Sequence, residues 1–230
     1  MVRYVVRLML IALSIIMPAS ASAQEDAFYR REIGGGVGLT NYIGDYNRAL
    51  MKGFQPSLNV VYRRNYNVFS SVKIDAAWSK IKGGSQNVTT VYPDEIGSPY
   101  TFDRTLIDVN MTYEYNFLPY GTGREYRGAK RLVPFVFFGL GATIATGNGS
   151  AGTANIPLGM GVKYKISERM NAGVEWAMHF AMSDNLDGST DPYYVQSTGL
   201  LKNTDCYSSL RLTLTYSFSA KCPTCNKDDW

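Results

Sequence analysis

The sequence predicts an all-β fold, a single transmembrane antiparallel β-barrel of about eight strands with a polar interior filled by side chains. Three observations predict it. Segments that alternate apolar and polar residues recur along the chain, the connections between them are mostly short and long in turn, and an export signal precedes them. After that signal no apolar run reaches the length of a spanning helix, and only helices and closed barrels satisfy their backbone polar groups in lipid.

Residues 1–23 predict a signal peptide for export. Two arginines supply its positive charge, residues 8–17 form a short apolar run, and Ala21-Ser22-Ala23 is a cleavage site of small residues. We therefore expect a mature chain with a barrel over residues 24–218 and a periplasmic tail over residues 219–230. Removing the signal takes away two basic and no acidic residues, so the formal net charge falls from +4 to +2, which gives no basis for nucleic-acid binding.

Five segments alternate cleanly. In the last of them Leu210, Leu212 and Leu214 share one face, while Arg211 and Thr213 share the other. The five predicted strands cover residues 72–79, 107–117, 158–166, 174–182 and 209–218.

Three further segments complete the set, at residues 32–42, 54–64 and 134–145. The first is rich in glycine. The third is apolar on both faces at its start, so the pattern does not determine which of its residues point inward.

Alternation alone fits a soluble sandwich with its apolar face inside as well as a membrane barrel with its apolar face outside. Three features favour the barrel. The strands have the length of a tilted strand that crosses a bilayer, aromatic residues gather at strand ends, and connection lengths mostly alternate. The short connections are 65–67 and 167–170, and the long ones are 42–53, 82–102 and 184–205.

This arrangement predicts an outer-membrane protein of a Gram-negative bacterium, with its termini and short turns in the periplasm and its long loops outside. Two connections break the alternation. Residues 147–153 form a short external connection, and residues 118–132 form a long periplasmic one. The latter carries a basic cluster that is a candidate for partner contact: Arg124, Arg127, Lys130 and Arg131.

The predicted inward faces carry a charged set, and eight strands leave an interior that side chains can just fill. The simpler interpretation is that these charges pair with one another and fill the barrel interior, because buried charges need partners. The alternative is a polar conduit or a catalytic site. The set is Arg63, Lys73, Asp75, Asp108, Glu114, Lys163, Lys165, Glu175, His179 and Arg211.

Motifs for catalysis, cofactors or metals are weak. His179 is the only histidine, its neighbours on the same face are Ala177 and Ala181, and no Gly-x-Ser-x-Gly element is present. A histidine-based metal site would need a second histidine. The glycine-rich residues 34–38 lack the spacing and the following helix of a dinucleotide site, so close packing of strands explains them better. We expect no catalytic residue, no cofactor and no metal.

The cysteines suggest a periplasmic role. Cys222 and Cys225 lie in the tail, while Cys206 lies at the opposite end of the last predicted strand, too far away for a disulfide within one barrel. The tail pair could form a local disulfide in an oxidising compartment, or one or both thiols could bond a periplasmic partner. A zinc site would need two further ligands that are not visible.

Two stretches resemble PorG-like outer-membrane barrels, which are associated with type IX protein secretion. They are the opening Glu32-Ile-Gly-Gly-Gly-Val-Gly-Leu-Thr-Asn-Tyr-Ile-Gly-Asp-Tyr46 and the ending Leu212-Thr-Leu-Thr-Tyr-Ser-Phe218 with its cysteine-containing tail. The resemblance implies a non-enzymatic accessory component that contacts periplasmic ring or lipoprotein subunits.

Two other functions stay open. One is a surface-binding or membrane-stabilising barrel of the OmpA or OmpX sort, acting through the loops at 82–102 and 184–205. The other, ranked last, is a lipid-modifying enzyme that uses His179.

Overall fold

The computed structural model describes residues 28–43, 53–84, 101–122, 129–147, 150–182 and 206–221. These residues form one closed antiparallel barrel in which each strand pairs with the next and the first pairs with the last. The predicted fold is therefore confirmed. The strands are β1 (Phe28–Ile43), β2 (Gln55–Asn65), β3 (Ser70–Gly84), β4 (Thr101–Asn116), β5 (Leu132–Thr146), β6 (Ala151–Lys165), β7 (Met170–Ala181) and β8 (Cys206–Lys221).

Among the described residues, no helix has the length and apolar character required to traverse a bilayer.

The two ends of the barrel differ. At the end we call the turn end, residues 66–69 and 166–169 make tight turns between strands, and the connection 117–131 joins β4 to β5. Asn67 accepts hydrogen bonds from the backbone N–H groups of Phe69 and Ser70, and the Ser167 hydroxyl accepts one from Met170. Such side-chain acceptors favour turns, which explains why the chain reverses there. The three long connections, residues 44–54, 85–100 and 182–205, leave from the opposite, loop end.

The direction of the apolar face decides between barrel and sandwich. Along β4, Met111 is 58 % exposed, whereas its neighbours Asn110 and Thr112 are each 1 % exposed. The apolar residues thus face outward and the polar residues face inward. From residue 107 to residue 117 the outward face extends about 33 Å along the strand, or about 25 Å at the usual tilt, which matches the apolar band of a membrane barrel.

Strand β5, whose register the pattern left open, turns Val133, Phe135 and Phe137 inward. Gly161 of the neighbouring strand makes room, because a Cβ there would lie 2.8 Å from the Phe135 ring and closer still to the Val174 carbonyl oxygen. Gly159 faces Phe137 in the same way. Large inward rings on one strand therefore require glycine on the next.

Several strands extend beyond the predicted bounds. β6 begins at Ala151, so the short external connection is 147–150 and not 147–153, and β8 runs from Cys206 to Lys221 and not from 209 to 218. Ladder hydrogen bonds continue beyond the apolar band, where the outward residues no longer need to be apolar. Alternation of hydrophobicity finds only the part of each strand that faces lipid.

A charge in the middle of the outward face should destabilise the barrel. We expect Met111→Arg to lower the free energy of unfolding in lipid vesicles by about 2–4 kcal/mol, because an arginine at mid-bilayer depth is poorly solvated. Thr101→Arg, on the same face of the same strand but at the loop end, should change it by less than about 1 kcal/mol. Urea titration of both variants measures the difference, and equal effects would contradict an outward band at Met111.

Candidate functional site

Six charged side chains from six strands meet in the half of the barrel nearer the turn end. We call this group the charge cluster, and its ionic side chains are at most 4 % exposed. Its members are Glu32 (β1), Arg63 (β2), Lys73 (β3), Glu114 (β4), Lys163 (β6) and Glu175 (β7).

Arg63 lies at the centre of the charge cluster. Its Nη1 lies 2.7 Å from Glu32 Oε2, its Nε lies 2.8 Å from Glu114 Oε2, and its Nη2 lies 3.3 Å from Glu175 Oε1. One guanidinium thus donates to three carboxylates. A planar fork with five N–H donors suits this role, whereas the ammonium of a lysine would reach fewer acceptors in fixed directions.

Two lysines balance the remaining negative charge of the three carboxylates. Lys73 Nζ lies 2.6 Å from Glu175 Oε2, and Lys163 Nζ lies 2.6 Å from Glu114 Oε2. Both ammonium groups also stand over inward rings of β5, Lys73 at 4.5 Å from the centre of Phe137 and Lys163 at 4.3 Å from that of Phe135. Three cations therefore face three anions, and the cluster has no net formal charge.

Neutral side chains supply the remaining donors. Glu32 accepts hydrogen bonds from Asn65 Nδ2 at 2.8 Å and from Thr215 Oγ1 at 3.0 Å, and Glu114 accepts one from Ser71 Oγ at 2.9 Å. A buried ion pair is stable only when its remaining hydrogen-bonding groups are also satisfied. The charge cluster meets that requirement and fills the lumen at this level.

A second layer lies nearer the middle of the barrel. Arg211 Nη1 donates to Asp75 Oδ2 at 3.0 Å, and both residues border a cavity of about 10 Å³ together with Lys73, Thr112 and His179. A space of that size holds about one water molecule. It has no room for a substrate.

His179 has neighbours that the sequence did not indicate. Its ring stacks on Tyr207 with centroids 4.4 Å apart, and its Nε2 lies 3.3 Å from Ser209 Oγ. Tyr207 in turn donates to Asp108 Oδ1 at 2.7 Å and lies 2.9 Å from Thr143 Oγ1. Because His179 is only 2 % exposed and its cavity is so small, a histidine beside a serine hydroxyl here serves packing better than nucleophilic catalysis.

The interior near the loop end holds an apolar set of side chains among buried polar groups such as Asn41, Ser79 and Arg104. This set of inward side chains is distinct from the charge cluster, and its members are Tyr42, Ile81, Phe102, Leu106, Ala145, Ala181 and Tyr207. The sequence pattern missed it because most of these residues lie beyond the apolar band, where strand bounds were set too short. The filled interior therefore pairs charges at the turn end and in the middle, and combines apolar with polar side chains at the loop end.

The described residues of the connection 117–131, which are 117–122 and 129–131, lie at the turn end. Tyr120 donates to Asn171 Oδ1 at 2.9 Å, and Lys165 Nζ donates to the same oxygen at 3.2 Å. Burial raises the pKa of Tyr120 above its usual range, so its phenol keeps the proton that it donates. Tyr120 also pairs with Lys130 through the backbone, which folds the described part of the connection against the barrel mouth.

The structure places all ten residues of the predicted interior set at buried, inward positions. It adds two inward charges, Glu32 and Arg104, that sequence reasoning missed. Glu32 stood at the edge of a glycine-rich segment with little alternation, and Arg104 lay before the predicted start of its strand. Arg104 could have been found from the sequence, because it lies four residues before Asp108 and residues an even number apart share one face of a strand.

The predicted partner-contact residues are only partly described. Lys130 is exposed, and Arg131 donates to the Thr122 carbonyl oxygen at 2.7 Å. Cys206 begins β8 at the loop end, half-buried. The signal peptide, Arg124, Arg127, Cys222 and Cys225 lie outside the described residues, as do most of the long loops. Within the described ranges, no three His, Cys, Asp or Glu side chains group as a metal site.

These features define a membrane-spanning β-barrel with a filled interior. The chain belongs to the family described as "Domain of unknown function (DUF6089)", whose model matches residues 6–227. No curated protein matches the sequence.

Three solved structures illustrate what the chain is similar to. Neisserial surface protein A (NspA) is 12 % identical over 82 % of this chain and 97 % of its own, with a TM-score of 0.47. The outer membrane protein OprG from Pseudomonas aeruginosa is 12 % identical over 86 % of this chain and 100 % of its own, with a TM-score of 0.49. The attachment invasion locus protein Ail of Yersinia pestis is 12 % identical over 83 % of this chain and 100 % of its own, with a TM-score of 0.46.

Removing one anion should unbalance the charge cluster. We expect Glu114→Gln to lower the free energy of unfolding by about 3–5 kcal/mol, because Arg63, Lys73 and Lys163 would then share two carboxylates in a buried place. Adding Lys163→Gln should recover part of the loss by restoring neutrality. Urea unfolding in phospholipid vesicles is the measurement.

Lys82→Gln is the matched control, since it breaks the exposed pair with Asp103 at 2.9 Å and should change stability by less than about 1 kcal/mol. A Glu114→Gln barrel as stable as this control would show that the cluster adds nothing to stability.

Proposed function

We propose that the protein is a non-enzymatic outer-membrane barrel and an accessory component of type IX protein secretion that contacts periplasmic ring or lipoprotein subunits. The observation that carries this proposal is the neutral charge cluster that fills the lumen. Within the described residues, the paired side chains leave an interior cavity of only about 10 Å³ beside the charge cluster, which is too small for a polypeptide or a substrate. The function of the barrel then lies on the surfaces at its two ends.

The outward face supports an outer-membrane location. Apolar side chains form a continuous belt around a closed barrel, and the sequence begins with an export signal pattern. In the proposed orientation the tight turns and both ends of the barrel chain, Phe28 and Lys221, face the periplasm, as is usual for such barrels.

The turn end supports contact with a periplasmic partner. The connection 117–131 is long for this end. Its described residues are held against the barrel mouth through Tyr120 and include the exposed Lys130. Strand β8 delivers the cysteine-containing tail to the same end, because Lys221 pairs with Phe28. The basic connection and the tail therefore start from one rim.

Site-specific photocrosslinking tests which end binds a partner. A crosslinking residue in place of Lys130 should capture a periplasmic ring or lipoprotein subunit in intact outer membranes, identified by mass spectrometry. The matched control replaces Ser150, an exposed residue in the short connection at the loop end, and should capture none. Capture at Ser150 alone would favour the surface-binding alternative, and capture at neither position would contradict a turn-end partner.

We also expect a disulfide between the cysteine-containing tail and a periplasmic partner. Cys206 lies about 50 Å along β8 from Lys221, the last described residue before the tail, so it cannot pair with the tail within one barrel. We expect a higher-mass species on non-reducing gels that reductant removes. The species should disappear in the Cys222→Ser/Cys225→Ser variant and persist in Cys206→Ser. A wild-type chain that migrates only as a monomer without reductant would exclude a covalent link to a partner.

A further inference from the structure

We infer that the outer face of the barrel at the turn end binds the phosphate of an anionic phospholipid through a row of three arginines. This arginine row consists of Arg31 on β1, Arg64 on β2 and Arg169 in the turn between β6 and β7. All three side chains are exposed and none contributes to the enclosed charge cluster. The inference is independent of the proposed role in secretion.

Arg31 and Arg64 are directly opposite each other across the β1–β2 ladder. Both point outward, because the inward positions beside them belong to Glu32 and Arg63. Like charges directly opposite each other on one face of a sheet destabilise it. An anion placed between the two guanidinium groups would turn that repulsion into attraction.

Arg169 is held beside this pair by two phenols. Its Nε donates to Tyr29 Oη at 3.2 Å and its Nη1 donates to Tyr216 Oη at 2.9 Å. Since Tyr216 is on β8 and Tyr29 is on β1, the side chain reaches across the outer face of β8 towards Arg31. Arg31 and Arg64 lie on adjacent strands about 4.8 Å apart, and Arg169 approaches this pair from the far side of β8.

The charge of the arginine row is not neutralised by the protein in the described ranges. Arg31 and Arg64 form no ion pair there, and Arg64 makes only a contact of its guanidinium with the Tyr66 ring, 5.5 Å from its centre. Glu168, the carboxylate next to Arg169 in the turn, has no ion pair within 4 Å among those residues either. An external anion is the missing partner.

The depth of the row identifies the anion as part of a lipid. On β1 the next outward residue after Arg31 is the exposed Ile33. On β8, Phe218 lies opposite Arg31, Tyr216 lies opposite Ile33, and the aliphatic Leu214 is the next outward residue. The arginines thus border the apolar band, among the tyrosines that mark the interface of a membrane barrel. A phosphodiester headgroup lies at this depth, and its acyl chains can continue along Ile33 and Leu214.

Arginine chemistry fits this ligand. A guanidinium binds two phosphate oxygens through parallel N–H groups, whereas a zwitterionic headgroup places a compensating cation beside the same phosphate. We therefore expect the row to prefer phosphatidylglycerol to phosphatidylcholine.

Native mass spectrometry of the full mature chain, released from micelles with equimolar phosphatidylglycerol and phosphatidylcholine, tests this. The wild type should retain phosphatidylglycerol preferentially, and Arg31→Gln/Arg64→Gln should lose a roughly fivefold to thirtyfold preference, since each basic residue near an anionic lipid surface contributes about fivefold. Arg31→Lys/Arg64→Lys should lie between them, because it keeps the charge and loses the fork.

Lys80→Gln/Lys130→Gln removes the same charge from exposed or half-exposed positions outside the row and should keep the wild-type preference. A wild type without preference, or equal losses in the control and the arginine variant, would overturn the inference. The inference would also be overturned if inorganic phosphate alone raised the thermal stability of the protein as much as phosphatidylglycerol does, because the ligand would then not be a lipid. If the double variant fails to fold, the single Arg64→Gln variant carries the same comparison.

Discussion

Enclosure is the constraint on which the rest of this structure depends. A barrel of eight strands has no room for bulk water inside, so every charge that points inward must find its partner across the lumen. Arg63 satisfies this by donating to Glu32, Glu114 and Glu175, which come from three different strands. The inward rings of β5 cover the two lysines beside that guanidinium, the glycines of β6 make room for those rings, and neutral donors satisfy the remaining carboxylate oxygens.

The two halves of the barrel interior are filled by different kinds of side chains. Near the turn end, charges pair and phenylalanine rings cover the ammonium groups of Lys73 and Lys163. Near the loop end, apolar side chains such as Ile81 and Leu106 pack as they would in a soluble protein. The described interior is filled at both levels, by ion pairs near the turn end and by apolar side chains together with buried polar groups such as Arg104 near the loop end. A function on the outer surfaces is consistent with both.

Much of this fold follows from the sequence because one physical rule acts on each residue separately. Lipid accepts only apolar side chains, so residues such as Met111 and Leu212 reveal the outward face, and residues such as Asp108 and Arg211 the inward one. The partners do not follow, because which carboxylate meets Arg63 depends on strand register and on how the sheet closes. The sequence did not place Glu32 inward, because it stands beside glycines that do not alternate. It also left open whether Phe135 points inward, because its neighbours in the chain are apolar too. Both orientations depend on the neighbouring strand.

The hydrogen bond from Thr215 on β8 to Glu32 on β1 joins the charge cluster across the seam where the chain closes on itself. Until those two strands meet, the sheet is open and its charged face has no enclosure. Releasing such a sheet strand by strand into hydrocarbon would expose arginine, lysine and glutamate to lipid. Biogenesis of this protein therefore has to keep the charged face hydrated and complete the seam before the barrel leaves its assembly site, so that insertion and closure become a single event.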